Sequence, residues 1–151
     1  MSTIRDKLWL WGHPVDAHGP HTRWKLPAHS RMTPVEAAVY MGIPNIQMIW
    51  LWRADAPEPL PSWRQFALPL NALKRVVWSV AHGHGLSYTD HIFPLAAGSP
   101  NVTGVILDDF FTEQTDGRFT ALTDGELDAL RQRLRLPDRR LDLWCVVYEQ
   151  D

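Results

Sequence analysis

Val102-Thr-Gly-Val-Ile-Leu-Asp-Asp-Phe-Phe111 decides how the rest of this chain is read. Its apolar run, Val105, Ile106 and Leu107, stops abruptly at two adjacent carboxylates, Asp108 and Asp109. A run without polar alternation predicts a strand buried on both faces, as in a parallel sheet covered by helices. Ligands of such sheets bind beyond the carboxyl ends of the strands. The two acids therefore fall where chemistry is done, although an Asp in that place also serves simply to start a turn. Charges are rarely set beside buried strand ends without a partner, which favours a functional role for at least one of them.

Working outward, four more segments read as strands. Residues 7–13 form the first, closed by Gly12 and His13, and residues 45–52 the second, ending at Arg53. The third covers 74–80 and leads into Ala81-His-Gly-His-Gly85, while 102–107 is the fourth. Residues 141–148 make the fifth, followed by Glu149 and Asp151. Helical signals alternate with them. Thr33-Pro-Val-Glu36 is a capping box with Pro at the first helical position, and Gly42 terminates the helix it opens. Residues 63–73 are weakly helical, limited by Pro69, and 89–97 is a short helical piece. Thr123-Asp-Gly-Glu126 is a second capping box, opening an amphipathic helix over 126–134 with Leu127, Leu130 and Leu134 on one face. The loop 14–31, rich in His, Pro and Gly, is long enough to predict a functional or mobile segment.

Five strands thus alternate with four helical segments at the spacing of roughly 30 residues expected of βαβ units. Right-handed crossovers would set all five strand ends on one edge, gathering His13, Arg53, His82, His84, Asp108, Asp109, Glu149 and Asp151. The predicted class is α/β with a parallel sheet, a single domain over residues 1–151. A (β/α)8 barrel needs about 250 residues, and its fifth strand would fall about here. The chain is accordingly read as the first five strands of a truncated TIM barrel. The alternative is a small open doubly wound sheet. Against it, no Gly-rich phosphate loop follows the first strand.

Composition narrows the function classes. A length of 151 residues suffices for a real core, and 45% hydrophobic with 21% charged residues is ordinary for a globular protein. A net charge of -2 offers no electrostatic case for nucleic acid or an anionic membrane. The polar N-terminal stretch and the lack of a long apolar run argue against a signal peptide or membrane span, so a cytoplasmic location is expected. Cys145, alone in its run, is expected to be an inert core residue. Eight Trp are costly core fillers, because each indole N–H wants a partner. Most are expected to pack the core, and Trp11 and Trp52, each ending a strand, are the candidates for stacking on a sugar ring.

With these residues in view, the chain resembles the (β/α)8 hydrolases, especially those acting on glycosides. The likeness is one of layout over nearly the whole length, with Gly104-Val-Ile-Leu-Asp-Asp109 at the fourth strand. Several retaining glycosidase families end that strand in an essential carboxylate, and the resemblance gives Asp108 this role. No specific family is matched. Aligned on Gly104, the chitinase-type Asp-Gly-x-Asp-x-Asp-x-Glu signature finds an acid only at Asp108, with Thr103, Ile106 and Phe110 at its other acidic positions. The α-galactosidase-like pattern wants Lys where Ile106 stands.

Glycoside hydrolysis needs two carboxyl groups flanking the scissile bond. Asp108 and Asp109 cannot supply both if they are strand neighbours, which point to opposite faces. Asp108 is therefore the expected nucleophile or charge stabiliser, with Glu149 as the second carboxylate and Asp109 holding a loop or a sugar hydroxyl. His13, Arg53, Trp11, Trp52, His82 and His84 would line the substrate site. This reading needs no cofactor. A competing one is a metal-dependent hydrolase or isomerase, with a divalent metal on His82, His84 and Asp108. A third is a non-catalytic carbohydrate-binding barrel. His18, His21 and His29 are expected to be exposed. Lys74 and Arg75, opening a strand, belong to the opposite, stabilising face, and residues 131–140 read as a solvated helix end. The expected partner is a small-molecule or oligosaccharide substrate. An uncovered fifth strand further predicts a homodimer, or a C-terminal half missing from this chain.

Overall fold

The computed structural model describes residues 3–15, 17–18, 25–29, 31–49, 63–82, 86, 88–111, 113–114, 116–117 and 119–148, apart from the side chains of Trp63 and His82. Five strands, β1 (Leu10–Gly12), β2 (Asn45–Met48), β3 (Arg75–His82), β4 (Val102–Asp108) and β5 (Asp142–Cys145), form one sheet in the order β1-β2-β3-β4-β5. Helices α1 (Pro34–Met41), α2 (Trp63–Ala67), α3 (Thr89–Gly98) and α4 (Asp124–Arg133) alternate with them. The β1–β2 and β4–β5 pairs are parallel. The class is α/β with an open sheet. A doubly wound sheet reverses its strand order at a switch point. The order here does not reverse, and the sheet is open, not closed into a barrel. No helix among the described residues is long and apolar enough to cross a membrane. The chain divides into two compact units, residues 1–76 and 77–151, with the boundary inside β3.

In the first unit, the predicted strand 7–13 is shorter than its apolar pattern implied. A 3₁₀ helix, Ile4–Lys7, takes its beginning, because Thr3 and Asp6 form a capping box. The Thr3 amide and hydroxyl both donate to Asp6 Oδ2, at 2.7 and 3.0 Å. Helix α1 follows the sequence reading closely. Glu36 N–H donates to Thr33 Oγ1 at 3.2 Å, and Thr33 N–H returns to Glu36 Oε2 at 2.7 Å. The Thr33 amide, and after it the Thr33 hydroxyl, hold the Glu36 carboxyl below its ordinary range. Gly42 closes the helix at φ 63, a left-handed conformation natural to glycine. Pro69 cannot donate to a fourth preceding carbonyl, and the chain tightens there from α2 into a 3₁₀ helix, Leu68–Ala72.

Below the strands of this unit lies a buried polar hub. Asn45 is fully buried, and its amide donates to the carbonyls of Asp6 and Leu8 at 2.9 and 2.8 Å. Arg75 Nε donates to Asn45 Oδ1 at 2.9 Å, and a second guanidinium nitrogen reaches the Asp6 carbonyl at 2.8 Å. The same guanidinium sits 4.7 Å from the Trp9 ring centroid, a cation–π distance. Lys74 adds an ion pair to Asp6 at 3.0 Å. Lys74 and Arg75 thus serve stability where their strand begins.

The Asp6 carboxyl falls from its usual 3.8 to about 2, chiefly through the Thr3 amide and then Lys74. A depressed carboxylate stabilises the fold above its unfolded pKa, and the contribution is lost as pH drops through the folded value. Its window therefore runs from about pH 4 down to about pH 2. In Lys74→Met the Asp6 midpoint, read by carboxyl NMR titration, should rise toward 3.8 without reaching it, because the Thr3 bonds persist. An unchanged midpoint would mean that Lys74 does not act on this carboxyl.

In the second unit, Val77, Trp78, Ser79, Val80 and Ala81 of β3 are all buried, as are Val105, Ile106 and Leu107 of β4. Burial of consecutive residues is the both-faces pattern that the apolar runs foretold. Helix α3 buries Ile92, Phe93, Leu95 and Ala96. Arg139 gathers carbonyls across the turn from α3 to β4, donating to Ala96 O in the last turn of α3, to the C-cap Ser99 O at 3.1 Å and to Val102 O, at the start of β4, at 3.5 Å. A guanidinium there satisfies helix-end acceptors and complements the dipole. Arg133 pairs with Asp90 at 3.0 Å and lies 4.6 Å over the Phe93 ring. The 131–140 segment is thus not merely a solvated helix end. The second capping box closes as expected, with Glu126 N–H to Thr123 Oγ1 at 3.2 Å and Thr123 N–H to Glu126 Oε2 at 2.8 Å.

Strand β5 pairs with β4 in the register Gly104↔Asp142 through Leu107↔Cys145. Gly104 is required by this approach: a Cβ there would lie 2.8 Å from the Asp142 carbonyl oxygen. Being a sheet edge, β5 is only half covered, and Cys145 is exposed. The expectation of a buried core cysteine is therefore corrected. An apolar run gives the burial of an inner strand, but an edge strand shares its sequence without its cover.

Candidate active site at the end of strand β4

In the second unit, β4 delivers Asp108 at its last position, only 5% exposed. A carboxylate this buried persists only with hydrogen-bond partners. One is the next amide: Asp109 N–H donates to Asp108 Oδ1 at 3.1 Å. The bond accompanies a backbone turn at Asp109, whose φ is 47. Asp tolerates this left-handed region better than most residues. Asp109 has consequently left the strand, and the expectation that the two acids simply alternate across the sheet does not hold. The strand, read from sequence as 102–107, runs one residue further, to Asp108, and Asp109 turns away from it.

The parallel register continues beyond the strands. Val146 N–H donates to Leu107 O at 3.1 Å, which carries the β5 chain alongside the end of β4. Tyr148 then meets Asp109, its hydroxyl donating to Oδ1 at 2.9 Å. Tyr148 carried no role in the sequence reading. The available signal was its position, a hydroxyl-bearing aromatic just past the end of a strand that pairs beside the two acids. Phe110 O accepts from Ala121 N–H at 2.7 Å and anchors the outgoing loop. The Phe110 and Phe111 rings meet edge to face at 5.0 Å, and Phe111 and Phe119 are exposed. The arrangement is a sunken carboxylate, a second carboxylate held in place by a phenol, and exposed aromatic surface on the following loop.

In the first unit, β1 leads to His13, which is half-buried, and Trp11 is 41% exposed. Exposure leaves Trp11 available for stacking. Trp9 and Trp78 instead serve packing, the first under Arg75 and the second in the core. His18 was expected to be exposed but is half-buried, its ring centroid 4.3 Å from that of His13. His82 is the last residue of β3. Arg53, Trp52, His84, Glu149, His21 and Asp151 lie outside the described residues. Among the described residues, no group of three or more His, Cys, Asp or Glu side chains is arranged to hold a metal ion.

Two surface grooves lie elsewhere. One, of about 350 Å³, is lined by Thr3, Arg5, Val39 and Gly42 among others; the second, of about 340 Å³, by Arg131, Arg140 and Asp142. Neither includes Asp108. Compared with family models, curated proteins and solved structures, the chain matches none of them.

Proposed function

We propose that this chain is a glycoside-hydrolase-like protein built on the first five strands of a (β/α)8 barrel, with Asp108 as its nucleophile or charge-stabilising carboxylate. The observation that carries the reading is Asp108 itself, an acid 5% exposed at the carboxyl end of an inner parallel strand. Such acids are costly to fold unless they serve chemistry or a structural network. The unreversed strand order supports the barrel part, because each strand of a (β/α)8 barrel also lies beside its successor in sequence.

The chemistry follows from placement. A buried carboxylate, oriented through the Asp109 amide, would meet the developing positive charge at the anomeric carbon. Asp109, steadied by Tyr148, would accept hydrogen bonds from sugar hydroxyls. Phe111 and Phe119 offer apolar faces to a sugar ring.

A panel of aryl glycosides with chromogenic leaving groups tests the proposal. Turnover by the natural chain should fall on the order of a thousandfold or more in Asp108→Asn, with KM little changed. In Asp108→Ala, azide should restore release of the aryl group by entering the vacated space. Oligosaccharide binding that is equal in both forms, with no turnover in either, would make the protein a binding module instead.

A further inference from the structure

We propose that His13 and His18 form a binding site for a borderline divalent transition-metal ion such as copper(II) or zinc(II), independent of the carboxylates at the end of β4. The two imidazoles are brought together by local chain geometry. His13 follows β1 directly, and the chain then turns, with Ala17 N–H donating to Pro14 O at 3.1 Å. That turn returns His18 onto His13, with ring centroids 4.3 Å apart and planes at 77°. They stand five positions apart in sequence, a spacing that a helix or strand would not convert into contact.

The donor chemistry selects the class of ion. Imidazole nitrogen suits copper, nickel and zinc, whereas calcium and magnesium want oxygen. Two nitrogens that are each about 2.0–2.1 Å from one ion lie about 3 Å apart. Rings already at 4.3 Å reach that spacing by side-chain rotation. Both residues are half-buried, so the ion would sit against the protein while keeping a side open to solvent. Among the described residues no third His, Cys, Asp or Glu completes a cage. The described residues give the ion two protein ligands, His13 and His18, with further positions open to exchangeable donors such as water or a chelating small molecule. Such a site is loaded reversibly.

The test uses the full chain with copper(II) or zinc(II) alone. Titration calorimetry should find one ion per chain at micromolar affinity, and the copper form should show nitrogen superhyperfine splitting in its electron paramagnetic resonance spectrum. His13→Gln and His18→Gln should each weaken binding at least about tenfold. His29→Gln, and the double variant His82→Gln with His84→Gln, should leave it unchanged. Zinc should also raise the melting temperature of the natural chain but not of His18→Gln. Absence of binding at about 100 µM ion, or binding kept in both His13→Gln and His18→Gln, overturns the proposal. So does binding lost only in the His82 and His84 double variant.

Discussion

Asn45→Leu is expected to lower stability by about 3 kcal/mol, even though leucine nearly matches the side chain in size. Asn45 is fully buried and joins three partners, the carbonyls of Asp6 and Leu8 and the Nε of Arg75. The Asp6 carbonyl keeps the second bond from Arg75, but the Leu8 carbonyl and Arg75 Nε each lose the partner named here. A buried polar group left unmet costs about 1–3 kcal/mol, more when it is charged. For a chain of this length each kcal/mol moves the melting temperature by about 2–4 °C, giving a fall of about 6–12 °C. Asn45→Asp separates the contributions, since it keeps an acceptor for Arg75 and turns both donors into acceptors facing carbonyls. It should melt well below the natural chain. An Asp variant as stable as the natural chain would show that the Arg75 contact alone matters.

Gly104→Val is the second large effect. The first added carbon meets the Asp142 carbonyl oxygen at 2.8 Å and the Asp142 Cβ at 3.1 Å. Backbone cannot yield as a flexible side chain does, so β5 must move away from β4. Overpacking of this kind costs about 1–3 kcal/mol, and a β-branched residue belongs at the upper end. Amide exchange should accelerate in Asp142–Cys145, while α3 stays protected. The consequence reaches the carboxylates, because Tyr148 arrives beside Asp109 only through the β4–β5 register. Any hydrolytic activity should therefore fall in Gly104→Val although no residue of the proposed chemistry has changed. Unaltered melting together with unaltered exchange would mean that the sheet accommodates the side chain.

Much of the architecture was legible because local signals were strong. Thr33 with Glu36, and Thr123 with Glu126, announced two helix starts that form as read. The Val105–Leu107 run correctly foretold a doubly covered strand ending at an acid. What failed to show were effects of neighbours distant in sequence. Cys145 lies in as apolar a run as any, but among the described residues β5 is an edge strand and leaves it exposed. Arg139 read as one arginine among several until α3 presented its terminal carbonyls. The bond from Tyr148 to Asp109 spans 39 positions, so no window along the chain contains both. The relation of the two acids was hidden for a smaller reason, a single left-handed residue at Asp109 that turns it away from the strand carrying Asp108.

The unreversed strand order has a consequence for how the chain acquires its structure. Each strand lies beside the one made just before it, so its pairing partner already exists when it emerges. The loops to be closed are only as long as one helical connection, which keeps the entropic cost of each closure low. Pairing each strand with its immediate predecessor keeps sequence separation as small as a parallel sheet allows, although parallel sheets as a class fold slowly. Assembly during synthesis can therefore proceed strand by strand from the N-terminal end, each new pair covering the edge left open by the last.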